Sequence, residues 1–428
     1  MQISKGVILR SFAGVSLEIA SLVIEANGRR ILIDPGRNEQ TTTPQQLLPL
    51  FETEKLDAIV LTHYHGDHSN LVADILKTGA FNGPVVGHAA TVDICKVYYN
   101  LHESANNEFI GLAYETQTEF LPGISLALYD AGHVLGSSIL YFTIDDKTLV
   151  VTGDLGAGYL PIVRDPATAL PQKPIDLLVT EAKQAGQQRE IDLEQTPLGD
   201  IIYRKLQDCF LFDDGSVLIF APLVQIPVLL YCLNYIFNNA AYAGTSEKIT
   251  AVYLDPQPKL LELLRIFESH ESLLDQDDAE YVPGDQHHFR FGKLRIALPE
   301  GRHIRRSIII TPNRDVFVHY FKLLRQSVKN DVLLLNQNIF SVLNQHIRLI
   351  DSRCDMQIKR LPFLHYHPDQ RELTAWYKQI SRTIGIERLL LYHYYRGSFA
   401  HSIKQHLLEK VGGQIDLIHK LVNDRALI

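Results

Sequence analysis

Three imidazoles and a carboxylate fall within one short run, Thr62-His63-Tyr64-His65-Gly66-Asp67-His68. Neutral histidine nitrogen and carboxylate oxygen are usual zinc donors, so the run is a metal-binding candidate. His63 and His65 stand two apart, and at the end of an extended strand that spacing projects both side chains to one side, where they can share an ion. Gly66 permits a turn, after which Asp67 and His68 can face a second ion. A solvated histidine-rich loop is the competing reading of the same residues. Asp34-Pro35-Gly36 follows another apolar strand and offers a carboxylate suited to orienting a ligating histidine through its far nitrogen. Gly132-His133 precedes the small-residue stretch Leu135-Gly136-Ser137-Ser138, where backbone can approach a site closely. Thr152-Gly153-Asp154-Leu155-Gly156 ends a further apolar strand and sets one carboxylate between glycines, where it could bridge two metals.

These residues need elements to position them. Apolar runs at 17–25, 30–34, 57–61, 139–144, 148–152 and 176–180 read as strands, and 70–77 as a helix. A second stretch opens with Thr196 as N-cap and Pro197 at the first helical position, with Leu198, Ile201, Ile202 and Leu206 at helical spacing. Strands at 217–220, 249–254, 307–311 and 331–335 then alternate with helices at 228–237, 259–267 and 315–326. Residues 268–301 read as an irregular surface excursion. The chain closes with strand 357–361, helix 368–383, strand 388–392 and helix 398–410. This alternation is that of an α/β protein. The 428 residues exceed the roughly 250 to 300 that one core usually serves, so two domains, or one domain with an insertion, are expected.

Composition narrows the function classes. With 46% hydrophobic and 21% charged residues the chain can bury a large core and is not compositionally disordered. Its 41 lysines and arginines against 49 acidic residues leave a net charge of -8, which excludes a globally basic polyanion binder. Recognition of a polyanion would need a local basic patch or metal charge. Cys95, Cys209, Cys232 and Cys354 form no C-x-x-C pair, which argues against a disulfide framework or a thiolate zinc site and fits a reducing, cytoplasmic setting. Met1 to Phe12 lacks the apolar core of a secretory signal. Residues 215–246 carry no charge, but Pro222, Gln225, Pro227 and Asn234 interrupt the apolar run, so a strand and a buried helix are expected there rather than a membrane span.

Taken in order and context, His63, His65, Asp67, His68, His133 and Asp154 resemble the metallo-β-lactamase superfamily, whose fold is a four-layer αββα sandwich with a dinuclear metal site. Thr180-Glu181-Ala182 resembles the acidic first motif of its β-CASP nucleases. Leu364-His365-Tyr366-His367-Pro368-Asp369-Gln370 resembles their S-A-H-A-D second motif, and Leu390-Leu391-Tyr392-His393 the strand ending in their third-motif histidine. The resemblance spans nearly the whole chain. It implies a metallo-β-lactamase domain over 1–188 and 357–428, with a β-CASP-like α/β domain inserted at 189–356. It also implies two zinc ions, with manganese as the alternative: one on His63, His65 and His133, the other on Asp67, His68 and His393, with Asp154 bridging. Asp67, His367 and Glu181 would be the catalytic residues, His367 lying at a helix N-terminus where the dipole favours phosphate. His68 would be held in its tautomer by Asp34 or Glu181.

The implied activity is hydrolysis of RNA, or of single-stranded DNA, by a hydroxide shared between the two metals, as in RNA processing; a homodimer or protein complex is compatible with it. The alternatives are a metal-dependent hydrolase of a small ester, lactone or thioester, and a catalytically weak nucleic-acid-binding subunit of a processing or defence complex. The chain departs from the family where Tyr394-Tyr395 follow His393 in place of Gly-Glu. It departs again where Phe220-Ala221-Pro222-Leu223-Val224-Gln225 replaces a Gly-Arg pair, and where Thr311-Pro312-Asn313-Arg314 replaces a glycine-rich loop. Arg302, Arg305 and Arg306, with Arg314 beyond the next strand, form the candidate phosphate-gripping patch, or equally a solvated run.

Overall fold

The computed structural model describes residues 2–4, 6–11, 20–37, 43–101, 107–184, 194, 198–210, 215–274, 288–300, 304–324, 331–334, 357–360, 367–393, 404–405, 407 and 414–417. Seven strands follow one another in the first sheet: β1 (Gln2–Ser4), β2 (Val7–Ser11), β3 (Leu22–Ala26), β4 (Arg29–Ile33), β5 (Ala58–Val60), β6 (Val85–His88) and β7 (Phe109–Leu112). The pairs up to β4 are antiparallel, and those from β4 to β7 are parallel. Parallel neighbours require crossovers, supplied here by α1 (Pro44–Glu54), the single turn α2 (Gly66–Ser69) with α3 (Val72–Thr78), and α4 (Ala89–Tyr98). The second sheet starts with β8 (Thr118–Leu121), β9 (Ile124–Asp130), β10 (Ser138–Ile144) and β11 (Lys147–Val151), all antiparallel. β12 (Leu177–Glu181) then joins β11 in parallel.

Residues 192–364, with 159–162, form a separate compact unit. Its six-stranded sheet holds β13 (Val217–Phe220), β14 (Ala251–Leu254), β15 (Leu294–Arg295), β16 (Ser307–Thr311), β17 (Asp331–Leu334) and β18 (Gln357–Arg360) in the order β15-β14-β16-β13-β17-β18, every pair parallel. Helices α5 (Leu198–Cys209), α6 (Ile226–Asn238), α7 (Ala243–Ser246), α8 (Pro258–Ser269) and α9 (Arg314–Leu324) belong to it. The expected cap Thr196-Pro197 lies outside the described residues. β18 pairs with β17, so the strand expected to reopen the C-terminal part after residue 356 belongs to this sheet instead. The stretch 268–301 is less irregular than expected: β15 adds a sheet edge, and Phe289 and Phe291 are buried. The uncharged run resolves into β13 and α6. A helix of 13 residues reaches only about 20 Å, and no helix among the described residues is long and apolar enough to cross a membrane.

The chain returns to the first unit with α10 (Gln370–Thr383), β19 (Arg388–Tyr392) and β20 (Gln414–Leu417), the two strands extending the second sheet in parallel beyond β12. One apolar core joins Ile24, Ile31 and Val60 of the first sheet to Leu126, Leu140, Val150 and Leu178 of the second. Leu373, Trp376, Tyr377 and Ile380 of α10, at helical spacing, pack onto it as the outer layer. Trp376 and Tyr377 are thus core residues, as their spacing indicates. The result is the αββα sandwich, with a second α/β unit inserted between β12 and α10.

Six of the chemistry-bearing residues lie at or just past a strand's carboxyl end: Asp34 after β4, His63 after β5, His133 after β9, Asp154 after β11, Glu181 at the end of β12 and His393 after β19. The connections pack tightly there. A methyl group added at Gly36 would stand 1.8 Å from the Asp67 backbone oxygen. Gly36→Ala is therefore expected to lower stability by about 2 kcal/mol or more in denaturant unfolding. Gly385→Ala, which would meet open space, is the control. A Gly36→Ala protein as stable as that control would contradict the close approach.

Candidate metal centre

Thr62 sets the first histidine. Its backbone N–H donates to Asp34 Oδ1 at 2.7 Å and its hydroxyl to Asp34 Oδ2 at 2.6 Å. With that proton committed, the hydroxyl oxygen accepts from His63 Nδ1 at 3.1 Å, which leaves Nε2 with its lone pair. That nitrogen lies 3.0 Å from His65 Nδ1, which in turn lies 3.2 Å from His133 Nε2. Around a tetrahedral zinc with bonds near 2.05 Å, ligand nitrogens stand about 3.3 Å apart. Burial holds all three imidazoles neutral: it leads in pushing His63 and His133 well below the usual histidine range, and His65 down to about 4.

A second group forms beside it. His68 Nδ1 donates to Asp34 Oδ2 at 2.8 Å, so Nε2 points the other way, 3.2 Å from Asp154 Oδ1. His393 Nε2 lies 3.4 Å from the same oxygen and 3.6 Å from Asp67 Oδ2. Asp154 Oδ2 faces the first group, 3.8 Å from both His63 Nε2 and His133 Nε2. One carboxylate thus gives an oxygen to each set. Among the described residues neither oxygen of Asp154 has a hydrogen-bond partner, and the same holds for Nε2 of His68 and of His393. Buried polar atoms of this kind are costly unless something compensates them. Converging nitrogens and carboxylate oxygens fit a divalent cation in each set.

Charge points the same way. Burial opposes ionisation of Asp154, but His68 and His393, then Lys183 and His367, outweigh it and hold the carboxyl well below its usual range. Burial likewise opposes charge on His68, yet Asp154 and Asp34 on either side raise it well above the ordinary value. Burial lowers the His393 imidazole to about 3. A third cluster joins Asp154, Glu181 and His367. Glu181 Oε1 accepts from His367 Nδ1 at 2.8 Å and from the Leu155 N–H at 2.8 Å, and burial raises this carboxyl above its usual range.

The structure brings together His63, His65, Asp67, His68, His133, Asp154, Glu181, His367 and His393, with Asp34 behind His68. Of the two carboxylates expected beside His68, Asp34 holds it and Glu181 is turned to His367. One expectation needs correction. α10 starts at Gln370, and its N-cap Asp369 closes a capping box with Glu372. The positive helix end is therefore served by the chain's own carboxylate rather than presented at His367. Of the candidate phosphate-gripping arginines, the exposed Arg305 and Arg306 precede β16 and Arg314 follows it, about 17 Å further along a five-residue strand. Arg302 and Tyr394-Tyr395 lie outside the described residues.

Two participants escaped the sequence reading. Thr62 carries no distinguishing spacing; only its place before the histidine run marks it. Lys183, whose Nζ bonds Asp67 Oδ2 at 3.0 Å, stands two residues beyond Glu181, a spacing that projects both side chains to one side of extended backbone.

The sequence model of the metallo-beta-lactamase superfamily matches residues 17–190. Transcription termination factor FttA of Methanocaldococcus jannaschii is 31% identical over 170 residues, covering 34% of this chain and 27% of that protein. Ribonuclease TTHA0252 of Thermus thermophilus is 30% identical over 156 residues, 33% of this chain and 36% of that one. A longer alignment, with FttA of Lokiarchaeum, is 26% identical over 370 residues and covers 76% of this chain but 55% of its relative. The chain thus spans only part of these relatives. A crystal structure of a protein of unknown function from Enterococcus faecalis V583 has the same fold, with a TM-score of 0.63 and 15% identity over 96% of this chain and 97% of that one.

The raised His68 sets the pH dependence of metal uptake. At neutral pH it carries a proton that a cation on Nε2 must displace, so zinc affinity is expected to rise with pH and binding near pH 7 to release about one proton. Calorimetry in buffers of different ionisation enthalpy measures that release. Asp34→Asn, which removes one of the two carboxylates that raise His68, should lessen the release and cost about 10 to 100-fold in affinity. Proton-independent zinc uptake by the unaltered protein would contradict the assignment.

Proposed function

We propose, since the chain belongs to the metallo-β-lactamase superfamily with relatives of the β-CASP nuclease type, that it is a zinc-dependent phosphodiesterase acting on RNA or single-stranded DNA. The observation carrying this reading is the shared carboxylate: Asp154 offers one oxygen to His63 and His133 and the other to His68 and His393. Two zinc ions on these donors, or manganese in their place, would activate water and neutralise charge developing on a scissile phosphate. In this reading residues 1–188 and the chain from α10 onward act as the hydrolytic domain, and the inserted α/β unit is the β-CASP-like domain.

The chain's own groups supply the rest. His63, His65 and His133 are neutral and preset by burial, so holding an ion there costs little proton removal. Asp34 and Thr62 fix two imidazoles in the tautomers that aim Nε2 inward. Glu181 holds His367 by Nδ1, which assigns proton donation toward the phosphate side to Nε2. Metal charge also answers the net charge of -8, because the polyanion is then drawn by the centre itself rather than by the protein's overall field. RNA is favoured because one relative is named a ribonuclease and another a transcription termination factor.

Cleavage of end-labelled RNA and single-stranded DNA oligonucleotides with added zinc or manganese tests this. His65→Ala and Asp154→Ala should abolish cleavage while the protein stays folded. His367→Ala should slow it by about 10² to 10⁴-fold with metal content unchanged. Undiminished cleavage by either of the first two variants would remove the assignment.

A further inference from the structure

The two donor sets are not alike, and Lys183 is the difference. Its side chain is one-fifth exposed and reaches in from just beyond β12, placing Nζ 3.0 Å from Asp67 Oδ2 and 3.8 Å from Asp154 Oδ2. Asp67 Oδ2 is the same oxygen that lies 3.6 Å from His393 Nε2. One carboxylate oxygen therefore answers to two claimants, the ammonium and any cation gathered by His68, His393 and Asp154. The other set is less affected: Nζ stands 3.8 Å from its Asp154 oxygen without a hydrogen bond to it, and His63, His65 and His133 are neutral imidazoles whose nitrogens already converge within 3.2 Å of their neighbours.

We propose that Lys183 makes the two metal sites unequal, its ammonium holding Asp67 Oδ2 and thereby weakening the site of Asp67, His68 and His393 relative to that of His63, His65 and His133. Two effects act together. The ammonium occupies lone pairs that a metal would use, and a positive charge within a few ångströms of a divalent cation repels it strongly in a site screened from water. The centre then fills in order: the three-histidine site takes an ion at low free zinc, and the Asp67 site fills only at higher free zinc. This rests on the reading that both sets take a divalent ion.

The test is titration of the metal-free full chain with zinc alone, in competition with a chromophoric chelator, to obtain stoichiometry and both affinities. The unaltered protein should bind one equivalent tightly and a second more weakly. Lys183→Met, which keeps the length and loses the charge, should tighten the second equivalent by about tenfold or more and the first by less, because Nζ bonds Asp67 but stands 3.8 Å from the Asp154 oxygen of the first set. Lys183→Arg should keep the unaltered pattern, and Lys183→Gln gives the same comparison if the methionine variant misfolds. A second equivalent that binds no more tightly in the neutral variants would overturn the proposal. Two equally tight sites in the unaltered protein would overturn it too while leaving the nuclease reading standing, whereas no zinc uptake at all would remove both.

Discussion

A carboxylate buried with both oxygens unbonded is an expensive thing to fold around, and Asp154 is one. Its neighbours relieve it chiefly by charge, the nearest being His68 Nε2 at 3.2 Å from Oδ1. Five imidazole nitrogens and the Lys183 ammonium surround it within 4 Å, those of His68 and His393 facing Oδ1 and those of His63, His133 and His367 facing Oδ2. Such a group is stable only when positive charge sits close on both sides, and the architecture is arranged to allow that. Six strand ends from two sheets converge on it. Asp34 and His393, which follow β4 and β19, adopt positive φ near 50°, as does Gly153 at 60° beside Asp154. A left-handed residue other than glycine costs about 1 kcal/mol, so the core between the sheets holds the chain in turns it would not choose alone.

The same demand orders the groups one step out. Asp34 accepts from Thr62 twice and from His68 once, so a single buried carboxylate sets the direction of two imidazoles in different parts of the run. Glu181 plays the matching part on the opposite sheet, tying His367 to the Leu155 backbone beside Asp154. Ligand geometry is therefore not a property of the histidine run alone. It depends on β4, β5, β11 and β12 keeping their register, which the parallel pairings of each sheet enforce. Lys183 enters the same charge balance as the permanent cation, which makes its bond to Asp67 a matter of metal chemistry and not only of folding.

Much of this was legible in the sequence, for a physical reason. Metal donors need particular residue types at short spacings, and the His63-to-His68 run, Asp154 between glycines and Asp34 after a strand all show them directly. Apolar runs such as 217–220, 307–311 and 388–392 matched strands to the residue, because strands buried on both faces read as unbroken apolar stretches. What escaped depends on tertiary placement. Which carboxylate meets His68 is decided by the packing of β4 against β5, not by local pattern. The capping box of Asp369 and Glu372 uses the same residues that a helix-end anion site would, so sequence alone reads either way. Lys183 went unnoticed because a lone lysine after a motif carries no pattern of its own.

The central claim is that two cations share Asp154, and anomalous diffraction at the zinc absorption edge from zinc-loaded crystals tests it most directly. Two peaks are predicted, one among His63, His65 and His133 and one among Asp67, His68 and His393, with the Asp154 carboxylate between them. A structure at high zinc concentration with no peak at either place, or with zinc bound only elsewhere on the protein, would contradict the account.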